Sequence, residues 1–186
     1  MLRAALQAVG ILLLLSTALF LSAGSLDWPM AWAFLLAYLG FAVFLYPGTL
    51  ITCGLDRRFA WSPLIPECAT LTALGVFVAG YAFALWAMVE NPFFATVVRI
   101  QSEPGHRLVD GGPYRLVRHP GYAGAIVAHL ALPIALGSLW GLLLAVLGSF
   151  LLAARTAWEE QTLERGLAGY GEYTLRVRWR LLPGIW

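Results

Sequence analysis

Two short stretches of the chain hold most of its chemically versatile side chains. The first begins Gly105-His106-Arg107-Leu108-Val109 and continues through Gly112-Pro113-Tyr114 to Arg118-His119-Pro120-Gly121-Tyr122-Ala123-Gly124. Its glycines allow the backbone to approach a ligand closely. Its prolines stiffen the turn, and His119 and Tyr122 bring polar atoms to the mouth of the helix that follows. The second is Arg155-Thr156-Ala157-Trp158-Glu159-Glu160. On a helix Arg155 and Glu159 stand one turn apart on one face. An exposed pair of that kind is worth only ~0.2–0.5 kcal/mol. Ionisable groups at the end of a membrane helix, however, usually face a cavity or a partner rather than lipid. The bland alternative for the first stretch is an interface loop whose Arg and Tyr only anchor helix ends.

Other motifs are missing. The sequence has no GxGxxG after a strand, no phosphate-binding Walker loop and no HExxH. His106, His119 and His129 have no standard metal-ligand spacing, so no metal site is expected, and His129 reads as a helix-contact residue inside an apolar run. Cys53 and Cys68 also match no ligand pattern and read as isolated thiols.

The elements that must position these residues are membrane helices. Of 186 residues 60% are hydrophobic and 12% charged, where a soluble domain carries roughly 25% charged residues. That leaves too little polar surface to cover a water-facing globule. A helix needs about 20 mostly apolar residues to cross a bilayer. The sequence predicts five such segments in one all-α membrane domain spanning 1–186: about Ala4–Ala23, Pro29–Ile51, Leu64–Val89, Tyr122–Leu136 and Leu139–Ala157. The first resembles a signal peptide but exceeds the usual apolar core of about 7–15 residues, and is read as a retained helix. A polar loop is expected around Asp56, Arg57 and Arg58, a stop at Asn91-Pro92, and a short fourth segment. The first part of the tail from Trp158 to Trp186 reads as helix, and Pro183-Gly184 ends regular structure.

Five crossings place the 92–120 loop and the tail on one side. Nine of the twelve arginines, from Arg99 to Arg180, lie there, while Arg3, Arg57 and Arg58 lie on the other. Cytoplasmic loops carry the Lys/Arg excess, so the loop and C-terminus are expected in the cytoplasm. A net charge of +2 is too small to suggest nucleic acid. The expected partners are the bilayer and a small-molecule or lipid-like substrate.

The two clusters, in this order, resemble the isoprenylcysteine carboxyl methyltransferase family and its bacterial relatives. The resemblance runs from Asn91-Pro92-Phe93 to Trp186 and rests on GHRLVDGGPYRLVRHPGYAG, LPIALGS, the Glu159-Glu160 pair some forty residues later, and the ending YGEYTLRVRWRLLPGIW. It implies an integral membrane enzyme, of the bacterial inner membrane for a short chain of this kind, that uses S-adenosylmethionine bound between loop and tail without a Rossmann domain. It implies cofactor contacts at Gln101, His106, Arg107, Leu108, Val109, Tyr114, His119, Pro120, Gly121, Tyr122, Glu159 and Glu160. Gln101 and the tail after Glu160 differ slightly from the family's spacing. Arg155 matches the arginine that meets the substrate. A carboxylate acceptor would need no base because it is already ionised. An amine would need one, and His119 or Glu160 would serve. The competing readings are a phospholipid N-methyltransferase, an NADPH-dependent membrane sterol-type reductase, and a non-catalytic membrane protein. The reductases tend to have Asn where Pro120 stands and an Arg-Asp-Glu run near Glu159, and this chain has neither.

Overall fold

The computed structural model describes residues 45–92 and 108–186. In these ranges the chain forms α1 (Tyr46–Phe59), α2 (Glu67–Glu90), a single 3-10 turn (Gly112–Arg115), α3 (Pro120–Ala135), α4 (Trp140–Gly166) and α5 (Tyr170–Arg176). No strand occurs among the described residues, and the fold is all-α as expected. The segment expected at Ala4–Ala23, and all but the end of the one expected at Pro29–Ile51, lie outside the described residues.

Helices α2 and α4 are each long and apolar enough to cross a membrane. At ~1.5 Å per residue, the 24 residues of α2 exceed the ~30 Å hydrocarbon thickness. With 16 residues, α3 is too short to cross at full length. The side-chain distribution supports the membrane reading. On α2 the buried positions are Ala73, Gly80, Ala84 and Ala87, while Leu71, Leu74, Val78, Leu85 and Val89 point outward. Small residues inside and large apolar residues outside is the arrangement lipid favours, because without a hydrophobic drive between helices close backbone packing holds them together.

That packing is tightest between α2 and α3. A Cβ on Gly80 would lie 2.8 Å from the Ala128 amide nitrogen and 2.9 Å from the Gly124 carbonyl oxygen. One on Gly124 would lie 2.5 Å from the Gly80 oxygen and 2.7 Å from the Ala84 nitrogen. The contacts are backbone to backbone, so neither position can give way. Helix α4 returns alongside α3, with Gly141 packed against Pro133 of α3 and Cys53 of α1. Both Cys53 and Cys68 are free thiols, the first buried and the second exposed.

A buried clasp closes the end away from the tail. The expected polar loop at Asp56–Arg58 is instead the last turns of α1. Arg57 and Arg58 suit that position, since cations stabilise a helix C-terminus. Ala60 then takes a left-handed conformation, φ 51°, which turns the chain back. The Ser62 amide donates to Asp56 Oδ1 at 2.7 Å, and the Ser62 hydroxyl donates to Oδ2 at 2.5 Å. Ser138 also donates to Oδ2, at 2.5 Å. The two serine oxygens accept in turn from the amides of Leu139 and Gly141, at 2.9 and 3.0 Å. One carboxylate thereby joins α1, the α1–α2 loop and the otherwise orphaned N-terminal amides of α4.

Beyond the expected end of the last membrane segment near Ala157, the start of the tail is helical as expected, and it continues the same helix. Helix α4 runs unbroken to Gly166. Residues 158–165 are mostly good helix formers, so the charged turns extend the membrane helix rather than starting a new one. This extension carries Glu159 and Glu160 on the same rigid rod as Arg155.

Candidate active site

The opposite end of the bundle gathers the loop, the start of α3, the end of α4 and the tail. Pro120 opens α3, where its missing amide and fixed φ are favourable. The backbone leading into it pairs with the tail: the amides of Arg118 and His119 donate to the carbonyls of Trp179 and Arg180, both at 2.9 Å. The Arg118 guanidinium adds bonds to the carbonyls of Val177 and Arg178, at 2.7 and 2.8 Å. Leu181 then inserts into a core of Val117 and Ala123, against which Phe83, Tyr122, Ile126 and Ala153 pack.

Four residues of the two sequence clusters converge here. The Tyr122 hydroxyl donates to Glu159 Oε2 at 2.7 Å. The Arg155 guanidinium lies over the Tyr122 ring, 5.5 Å from its centroid, and the His119 ring stacks nearly parallel to that of Tyr122, with the centroids 6.0 Å apart. Arg155 and Glu159 share a face of α4, and both meet Tyr122 of α3. The arrangement is thus an interhelical cluster rather than only a pair along one helix.

Glu160 occupies a different environment. It is buried, and its two oxygens meet two arginines: Oε1 lies 2.5 Å from Arg118 Nε, and Oε2 pairs with Arg180 Nε. The carboxylate joins α4 to the loop and the tail together. Adjacent glutamates therefore diverge, because a 100° step along the helix turns one to the cluster and the other to the clamp.

Tyr114 bridges loop, tail and α2. Its carbonyl accepts from the Tyr173 hydroxyl at 2.7 Å, while its own hydroxyl donates to the Ala87 carbonyl at 3.3 Å and accepts from Asn91 Nδ2 at 3.2 Å. Burial pushes its phenol pKa up, against the Asn91 bond, which lowers it. Leu108 and Val109 are half-buried, with Leu108 beside Gly169. Pro120 and Gly121 are buried at the start of α3. Gln101, His106 and Arg107 lie outside the described residues.

Beside the Arg118–Glu160 ion pair, the buried His119 Nε2 and Tyr170 hydroxyl have no hydrogen-bond partner. Burial, and then the neighbouring charges of Arg118 and Arg180, push the His119 pKa down to about 3. The imidazole is therefore neutral at physiological pH. Unsatisfied polar groups in a buried cluster are costly, and a polar ligand would satisfy them. The sequence reading overlooked Tyr170, Tyr173 and the Arg118–Glu160–Arg180 clamp. The only trace of the clamp in the sequence is the alternation Arg176-Val177-Arg178-Trp179-Arg180, which suits an extended segment.

The comparisons with known proteins agree with this assembly. A family model described as phospholipid methyltransferase matches residues 68–169. A lamin-B receptor from Drosophila melanogaster is 33% identical over 128 residues, covering 63% of this chain and 17% of the receptor. Probable protein-S-isoprenylcysteine O-methyltransferases from Oryza sativa subsp. indica and subsp. japonica are each 50% identical over 34 residues, 18% of either chain. The matched stretches thus span less than a fifth of these relatives' length. No solved structure matches. A family match over more than half the chain, on helices that fold around the cluster described above, carries the conclusion: this chain belongs to the phospholipid methyltransferase family of membrane methyltransferases, and is akin to the isoprenylcysteine methyltransferases.

Proposed function

We propose that the protein transfers a methyl group from S-adenosylmethionine to a carboxylate on a lipid-like or membrane-dissolved substrate, such as an isoprenylcysteine-like group. The observation that carries this reading is the convergence of Tyr122, Arg155 and Glu159 where α3 meets α4. When bound, the cofactor supplies a methyl group on a positively charged sulfonium. Glu159, oriented by the Tyr122 hydroxyl, would hold its ammonium, and the unpartnered His119 Nε2 would meet another of its polar groups. Leu108, Val109, Tyr114, Pro120 and Gly121 would line the same site, as would Gln101, His106 and Arg107. Arg155 lies one turn closer to the membrane, where its planar fork suits a substrate carboxylate. The chain's contribution is then positioning and exclusion of water.

The acid–base environment favours a carboxylate acceptor over an amine. An amine must be kept unprotonated by a nearby base. The two candidate bases that the sequence offers, His119 and Glu160, are both compromised. His119 has its pKa held at about 3, and Glu160 is held by two arginines. We therefore assign Glu160 to the clamp and not to the cofactor. The loop and tail would face the cytoplasm, following the arginine asymmetry.

The test is labelling of membranes, with and without the protein, by S-adenosylmethionine carrying a labelled methyl group. A carboxyl methyl ester releases its label as methanol in mild alkali, whereas an N-methyl group keeps it. Alkali-stable label in a phospholipid would replace this reading with N-methylation. Within the carboxylate reading, Arg155→Lys keeps the charge but loses the fork. It should sharply reduce methyl transfer while cofactor affinity stays near wild type. An equal fall in both would mean that Arg155 acts through Glu159.

A further inference from the structure

The tail ends in a hook that the methyl-transfer reading does not use. The carbonyl oxygen of Trp186 accepts the amides of Arg180, Leu181 and Leu182, at 3.0, 3.0 and 3.2 Å. The Arg180 guanidinium covers the Trp186 ring at 5.1 Å. The fold of the hook is thus fixed, yet its large apolar side chains point outward. Ile185 is 75% exposed, and Trp179, Leu182 and Trp186 are exposed beside it.

Its position gives the depth. The backbone of Trp179 and Arg180 is bonded to Arg118 and His119, immediately before α3 enters the bundle. Arg180 is paired with Glu160 near the end of the membrane-crossing α4. The hook therefore sits level with the ends of the apolar helices. Tryptophan is enriched at that level in membrane proteins. The charges fit as well. Residues 173–186 hold three arginines and no Asp or Glu. Arg176 pairs with Asp110 and Arg180 with Glu160. Among the described residues, the exposed Arg178 forms an ion pair with no carboxylate.

We propose that the hook is a lipid-binding element. Trp179, Leu182, Ile185 and Trp186 sit in the headgroup layer around the helix ends, and Arg178 binds a lipid phosphate. This does not depend on the chemistry proposed above, since the test uses neither cofactor nor acceptor.

The experiment uses the full chain carrying Cys68→Ser, in vesicles of phosphatidylcholine and phosphatidylglycerol. A nitroxide is attached through Ile185→Cys, with Glu164→Cys as the water-exposed reference. Relaxation by oxygen, which concentrates in the bilayer, is compared with relaxation by a polar nickel chelate. Oxygen should dominate at position 185 and nickel at position 164. Adding Arg178→Gln should shift the hook's in–out balance toward water by about five-fold, the loss of one interfacial arginine. Nickel dominance at 185 would overturn the proposal. Protection from both reagents would overturn it too, because it would mean that protein, such as residues 93–107, covers the hook instead of lipid.

Discussion

The two ends of the bundle use the same kinds of side chain to opposite effect. At the clasp, both Asp56 oxygens accept hydrogen bonds, and the serines that donate them also receive backbone amides. At the other end, Glu159 shares Tyr122 with Arg155, while His119 Nε2 and the Tyr170 hydroxyl lack partners. Buried polar groups are normally satisfied. The completed network at Asp56 reads as structure, and under the function proposed above the open atoms of His119 and Tyr170 would meet a ligand. Glu160 refines the comparison. It belongs to the site by sequence neighbourhood and to the structural class by its two arginines.

The sharpest way to break this comparison is at Glu160. Glu160→Ala would leave Arg118 and Arg180 facing each other across a buried gap. Removing one member of a buried ion pair costs about 3–5 kcal/mol. The expected outcome is a large fall in thermal midpoint in detergent or lipid. If the variant were fully stable and only cofactor binding were lost, Glu160 would be a ligand residue after all. Asp56→Ala should be the next most damaging. It removes the acceptor for both serines, lowers the thermal midpoint by several degrees, and leaves cofactor affinity per folded molecule unchanged. A selective loss of affinity, measured by calorimetry, would show that the clasp is coupled to the site.

Acid should act on the open end through His119. Its folded pKa, about 3, lies below the ordinary value of 6.5. Between those values the unfolded chain binds more protons at this residue, so stability falls as pH drops from 6.5 toward 3. The slope is on the order of 1 kcal/mol per pH unit. His119→Asn should flatten that part of the profile, and an unchanged slope would mean that other groups set it. The smallest effect is expected at Glu159→Gln. The fold should be retained, because Gln can still accept the Tyr122 hydroxyl. Binding of S-adenosylhomocysteine should weaken about ten-fold, the difference between a charge-assisted and a neutral hydrogen bond. Unchanged affinity would return Glu159 to a structural role beside Glu160.

The sequence by itself determined the solvent and the chemistry-bearing stretches. Its low charge and apolar runs demanded helices in lipid, and α2, α3 and the start of α4 lie close to the expected segments. These are properties of period and composition, which act locally. The polar run at Asp56–Arg58 misled for the same local reason: hydrophilic residues suggest a loop until Asp56 is seen to be buried by Ser62 and Ser138. The sequence also placed Arg155 and Glu159 on one face, since helix geometry alone does that. It could not separate Glu159 from Glu160. That decision belongs to tertiary structure, because it depends on Tyr122 arriving from α3 and Arg180 from the tail, 37 and 20 residues away. Whether a carboxylate meets one hydroxyl or two guanidiniums is set by which backbones come together, and here the close passage of α3 and the bonding of the tail to the loop before it set that outcome.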